Sequence, residues 1–379
     1  MTVLDAPPLD NARRISSARP EDFVVPHGRE EEWRFTPVAK IAHLFEVDAQ
    51  SGDLTVDPGS HVSVVDFRSD DAGHWLPTDR PSVIAWSSVH RSVRVEVPAD
   101  TVVAEPIVVR LRADRARAHG HVDIRIGRGA RATVVVVHDA SADTSGAIVT
   151  DVGDGANLSM LSILEGSVEH VHLWQWPTRV GRDATFTGSA ITIGGRVVRI
   201  LPSVSYAGPG GSATMLGAFL ADSGQFVEHR TLVEHVAPHC SSHVAYKGAL
   251  SGAGTHTVWV GDVVVRREAV GTDTYEMNRN LVLDDGARAD SVPNLELETG
   301  DVASAGHASA TGRFDDQQLF YLQARGIPER IARQLVVRGF FVDVLARIDS
   351  VEWREIVLQR IAQRLGMDAD LERHLEAAE

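Results

Sequence analysis

Cysteine is almost absent: Cys240 is the only one in 379 residues. A single thiol excludes an intrachain disulfide and points to a reducing compartment. Nor can the chain's own thiolates hold an iron–sulfur cluster or a zinc knuckle. Lysine is nearly missing too, since of 37 basic residues only Lys40 and Lys247 are lysines. Acidic residues outnumber basic ones, and the net charge of −15 disfavours broad binding to nucleic acid or to an anionic membrane. The longest apolar run, "VVVV" at 134–137, is far short of a membrane span. The N-terminal "MTVLDAPPLDNARRISSARP" has no apolar stretch of signal-peptide length. The expectation is a cytoplasmic protein with no membrane span and no nucleic-acid partner. Walker A, GxSxG and HExxH sequences are also missing. "GPGG" at 208–211 has no strand–loop–helix context and reads as a turn.

Three regions differ in texture. Residues 1–85 are mixed, with Pro-rich loops and a helix-like stretch "GREEEWRFTPVAKIAHLF" interrupted by Pro37. Residues 86–312 are strand-like: "SVRVEV", "PIVVRL", "HVDIRI", "SAITI" and "HTVWVGDVVV" recur, many alternating with period two. That alternation predicts strands with one buried face. Residues 313–379 are helical, with Asp315–Gln318 and Asp349–Glu352 at capping spacing. Pro328 suits a first helical turn, and Gly326 and Gly366 mark stops.

The middle region repeats itself. "IGRGARATVV", "VGDGANLSML", "VGRDATFTGS" and "LDDGARADSV" share one plan: an apolar residue, a tight polar turn, a small residue, then a new strand. "PGGSATMLGA" and "SGAGTHTVWV" are looser copies. The turn markers are Gly129, Gly155, Asp183, Gly211, Gly254 and Gly286, and the first three gaps are 26, 28 and 28 residues. A period in this range means a stacked architecture. Each unit holds short strands and no crossover helix, so the fold expected is mainly β: a parallel β-helix. A β-sandwich or jelly roll would explain the strands but not their spacing.

"HVAPHCSSHVAYKG" (235–248) gathers His235, His239, Cys240 and His243. A helix would align the histidines, but Pro238 opposes one. On a strand His239 and Cys240 point to opposite faces, and no second ligand cluster completes a set. Cys240 has no activating helix N-terminus, so it reads as a packing thiol. The stretch is expected to be a structural strand and turn, closed by Lys247–Gly248, with His235, His239 and Cys240 as secondary metal candidates. Asp262, Arg266, Arg267 and Glu268 could serve a polysaccharide-cleaving β-helix, or could simply be a solvated face.

Four stretches together carry a family resemblance: "GREEEWRFTPV" (28–38), "HVAPHCSSHVAYKGAL" (235–250), "DDGARADSVPNLELETGDVASAGHASATG" (284–312) and "DDQQLFYLQARGIPERIARQLVVRGFF" (315–341). The chain resembles the SufB/SufD family of the Suf iron–sulfur cluster assembly system, and its SufD members most. The resemblance implies a right-handed parallel β-helix flanked by helical regions. It implies a non-catalytic scaffold that pairs with a SufB-like subunit through the β-helix and docks SufC, an ABC-type ATPase, on its C-terminal helices. An isolated chain could also form homodimers. The implied cofactor is an iron–sulfur cluster held transiently at the interface with SufB, with none bound tightly by the chain alone. The family's candidate ligand histidine falls on His307 of "DVASAGHASATG". The cysteine that often stands two residues earlier is Ala305 here, which removes one ligand. His307 is either a shared cluster ligand or a turn residue bonded to backbone. Arg325, Gly326, Ile327, Pro328, Phe340 and Phe341 are the expected ATPase contacts. The alternatives from other classes are a carbohydrate-active β-helix enzyme and a metal-dependent enzyme built on the 235–243 histidines.

Overall fold

The computed structural model describes residues 15–67, 75–222, 224–314 and 316–365. The capping partner Asp315, the side chain of Gln318, and Gly366 lie outside the described residues.

In chain order the strands are β1 (Gly52–Asp53), β2 (Val62–Asp66), β3 (Arg91–Val97), β4 (Ile107–Leu111), β5 (Arg117–Ile126) and β6 (Arg131–His138). Then come β7 (Asp143–Val152), β8 (Asn157–Leu164), β9 (Val171–Val180), β10 (Thr185–Thr192), β11 (Val197–Tyr206) and β12 (Ser212–Ala221). The last six are β13 (Phe226–His235), β14 (Ser241–Leu250), β15 (His256–Val265), β16 (Thr272–Val282), β17 (Arg288–Leu297) and β18 (Val302–Arg313). From β3 on, odd strands stack in one sheet and even strands in the other, each parallel to the strand one coil away. β2 caps the odd sheet antiparallel to β3. The chain is a two-sheeted parallel β-helix, as its repeat predicts.

One local reason for the coil is a single corner. A residue with positive φ opens it in seven successive turns: Asp100, Gly129, Gly155, Asp183, Gly210, His239 and Gly271. Each N–H there donates to a carbonyl one coil on: Gly129 to Asp154, Gly155 to Arg182, Asp183 to Pro209, Gly210 to Pro238 and His239 to Val270. The left-handed region admits Gly freely, and Asp and His more readily than other side chains. The sequence markers Gly129, Gly155 and Asp183 are these residues. Gly211 is one position late, and Gly254 and Gly286 belong to the opposite corner, where the Gly254 N–H donates to Gly286.

Strand alternation misstates the burial. Strands such as β7 and β9 are buried on both faces, because helical segments cover the outsides of the sheets. Trp33, Ile41, Leu44 and Phe45 pack on the odd sheet against Val171, Leu173, Val197 and Phe226. They come from the helix-like stretch, which forms 3₁₀ turns (Glu31–Trp33, Ala42–Phe45) around the short helix α1 (Val38–Ile41). The sequence reading missed α2 (Arg80–Ser88), although Asp79 and Ser82 cap it reciprocally. Three helices follow the strands: α3 (Asp316–Ala324), α4 (Glu329–Leu345) and α5 (Val351–Arg364). The cap of α5 is Ser350, whose hydroxyl accepts the Trp353 N–H, not Asp349. Val337, Phe341, Trp353, Val357 and Ile361 lie in one apolar cluster with Val135, Ile163, Leu216 and Ala249 of the even sheet. No helix among the described residues is long and apolar enough to cross a membrane.

Candidate functional site at the open end of the coil

The histidine–cysteine stretch is one more copy of the corner. His239 fills the positive-φ place at 57° and is exposed. The residue after it enters a ladder of small side chains, Ala130, Ala156, Ala184, Gly211 and Cys240. Each carbonyl in this ladder accepts an N–H from the following coil. The Cys240 thiol is buried, lies 3.4 Å from the Gly208 carbonyl, and is pushed up from its ordinary pKa by burial. That is the opposite of nucleophile activation.

His235 ends β13 in an inward stack that runs Val97, Ile126, Val152, Val180 and Tyr206 in register. Its ring lies on Tyr206 at 4.8 Å, its Nε2 meets the Ser242 hydroxyl at 2.9 Å, and burial lowers its pKa to about 4. It is a neutral core residue. His243 faces elsewhere, stacked at 6.0 Å on Tyr275. Among the described residues no three His, Cys, Asp or Glu side chains converge as a metal site. Lys247 does not turn the chain. It sits inside β14, buried, with its Nζ donating to the Phe340 carbonyl at 2.7 Å and paired with Asp343.

A different ladder carries the site. Ile107, Val134, Met160, Gly188, Met215 and Val244 follow one another in register through the even sheet. All but Gly188 belong to the apolar core. The next two rungs are Glu276 on β16 and His307 on β18. The neighbouring rungs become polar as well, with Asn278 and Asn280 on β16 level with Ser309 and Thr311 on β18. Asn278 Oδ1 accepts from Asn280 Nδ2 at 2.7 Å and from the Ser291 hydroxyl, and Asn280 Nδ2 also reaches Thr311 Oγ1 at 3.3 Å. The apolar lumen thus ends in a polar mouth.

Glu276 is its anomaly. The side chain is fully buried, and neither carboxyl oxygen has a hydrogen-bond partner. Burial first, and the Asp262 charge second, push its pKa up to about 8. The Asn294 backbone N–H opposes this at a geometry short of a hydrogen bond. A Cβ at Gly261 would come within 2.4 Å of Oε2, so glycine there keeps room for the carboxyl group. His307 is not a turn residue. It lies in β18 with its side chain 43% exposed and Nδ1 3.8 Å from Glu276 Oε1.

The mouth is also the last coil. β17 and β18 are the terminal strands of their sheets, and their residues are mostly half-buried or exposed, unlike those of the strands behind them. Nearby charges are mutually paired: Arg266 bridges Glu234 at 2.7 Å and Glu298 at 2.8 Å, and Asp262 accepts from Asn294 at 2.7 Å.

On the helices the expected contacts divide. Phe341 is fully buried against the even sheet, where it holds α4 to the coil, and Phe340 is half-buried over Lys247. Arg325, Gly326 and Pro328 are exposed and Ile327 is half-buried. Phe320 and Tyr321 on α3, not singled out in the sequence, are 71% and 56% exposed, with the Arg325 guanidinium 4.7 Å over the Tyr321 ring. Glu276 was missed as well. Its signal was its register with Val244, visible only once the coils are aligned.

The family model for the SUF system FeS cluster assembly SufBD core domain matches residues 109–340. The chain is 45% identical over 367 residues to an iron–sulfur cluster assembly SufBD family protein of Mycobacterium tuberculosis, covering 93% of this chain and 92% of that one. A Mycobacterium leprae SufBD family protein is 41% identical over 94% of this chain and 95% of its own length. The iron–sulfur cluster assembly protein SufD of Escherichia coli is 26% identical over 90% of this chain and 89% of its own.

Proposed function

The chain belongs to the SufBD family of SUF-system iron–sulfur cluster assembly proteins, and from that premise we propose that it is a SufD-like scaffold subunit without catalytic turnover of its own. It pairs end to end with a SufB-like subunit, docks a SufC-type ATPase, and holds a nascent cluster at the shared end only while it is assembled and passed on. The cluster is cargo, not a resident cofactor. The observation that carries this reading is the polar, open last coil with His307 facing its mouth.

Three features support the parts. The terminal strands β17 and β18 present unpaired edges on which a second β-helix could continue both sheets. One imidazole suits iron but cannot fill its coordination sphere, so thiolates must come from another chain. The exposed pair Phe320 and Tyr321 beside Arg325 and Pro328 has the aromatic and arginine character of a contact surface.

Co-expression with a SufB-like chain and a SufC-type ATPase from the same genome tests the assignment. The expected result is a three-protein complex that accepts a cluster on reconstitution, with a lower cluster yield when His307→Ala is introduced. A chain that purifies alone in the presence of both partners would sink it.

A further inference from the structure

We propose that Glu276 and His307 together form a cation half-site at the mouth of the β-helix, taking a divalent transition metal of the ferrous class and completed by ligands from outside this chain. The proposal rests on the scaffold reading and adds Glu276 as a second ligand beside the imidazole.

Glu276 stands where the preceding coils put Val244, Met215, Gly188 and Met160. An apolar rung there would pack against the core. A buried carboxyl group with no partner costs folding free energy; neither oxygen of Glu276 has a hydrogen-bond partner, and the nearest ionisable base is the His307 ring at 3.8 Å. Such a residue is explained by a partner that arrives later. Gly261 preserves the space around Oε2, since a Cβ there would also meet the Trp259 ring at 2.3 Å.

The spacing fits a shared ion. The 3.8 Å from His307 Nδ1 to Glu276 Oε1 is too long for a hydrogen bond. Two ligands that each sit about 2.0–2.1 Å from one metal lie roughly 3 Å apart at right angles and roughly 4 Å apart when opposed. An imidazole and a carboxylate are both suitable donors for iron in its divalent state. Access is one-sided: Glu276 is sealed, while the His307 side chain reaches solvent at the open end. No third His, Cys, Asp or Glu joins them among the described residues, so water or the partner subunit must supply the remaining positions.

The test is anaerobic titration of the full chain, alone and in complex with its SufB-like partner, with Fe(II), and with Co(II) followed by visible absorption. Wild-type protein should bind one ion. His307→Ala and Glu276→Gln should each weaken binding at least about tenfold, while the partner still co-purifies. Should Glu276→Gln fail to fold, Glu276→Asp keeps the charge with a shorter reach and should give weaker binding with an unchanged melting temperature. Wild-type affinity in the glutamate variants, or no ion bound by the wild-type complex, overturns the half-site and leaves the scaffold reading standing. Failure of the wild-type chains to associate is a separate result and counts against the scaffold reading itself.

Discussion

The Arg199 guanidinium lies 4.0 Å over the ring of Trp33, joining β11 to the segment that covers the odd sheet. The same group is fully buried among three carboxylates. It donates to Asp79 Oδ2 at 2.9 Å and Glu32 Oε1 at 3.2 Å, and lies 3.4 Å from Glu228 Oε2, which also accepts the Thr36 hydroxyl at 2.5 Å. This is where "GREEEWRFTPV" earns its place in the fold.

Removing the guanidinium leaves Asp79 buried without its cation and Glu228 with Arg230 alone, at 3.4 Å. Arg199→Ala is expected to cost about 3–5 kcal/mol, measured by urea unfolding with tryptophan fluorescence. A loss below about 1 kcal/mol would show that the cluster does not hold the N-terminal segment.

Six histidines are buried: His119, His121, His138, His172, His229 and His235. Burial lowers all of them, His138 and His229 to about 3 and the other four to about 4. The unfolded chain therefore binds more protons than the native one below the ordinary histidine value near 6.5. Stability is full above that value and declines as pH falls from about 6.5 towards 4 and then 3. Each histidine contributes a slope of up to about 1.4 kcal/mol per pH unit. Urea midpoints at pH 7.5, 6 and 5 should fall in that order; equal midpoints would contradict the neutral histidine core.

His239 is a corner residue, so backbone conformation governs its replacements. His239→Gly should be neutral or slightly stabilising, and His239→Val should cost on the order of 1–3 kcal/mol, because a β-branched residue resists positive φ. Thermal melts distinguish this from a ligand role, in which both replacements would cost metal affinity and neither would depend on φ.

Phe341 and Phe320 should behave as opposites. Phe341→Ala removes a fully buried ring between α4 and the even sheet and is expected to cost about 3–5 kcal/mol. Phe320→Ala should leave the melting temperature within a degree or two and, under the proposed scaffold role, abolish co-purification of a SufC-type ATPase. Stable association after Phe320→Ala, with an intact complex otherwise, would move the docking surface elsewhere.

The strand content, the coil period and three corner residues, Gly129, Gly155 and Asp183, were readable in the sequence, because they depend on residues within a few positions of one another. A polar or glycine residue that tolerates positive φ, then a small residue, then apolar strand residues, marks each turn from Gly129–Ala130 to His239–Cys240. The missing activating context of Cys240 was legible locally too, whereas His307 was marked only by the family resemblance. Which side chains share a rung is settled by pairing between strands about thirty residues apart, and no local period encodes that register. Only the folded coil put Glu276 after Val244 and beneath His307, buried Phe341 of α4 against the even sheet, and closed Arg199 between Trp33 and three acids. Those outcomes depend on the helical segments covering the sheets and on the coil stopping at β18, which leaves its last polar rungs open.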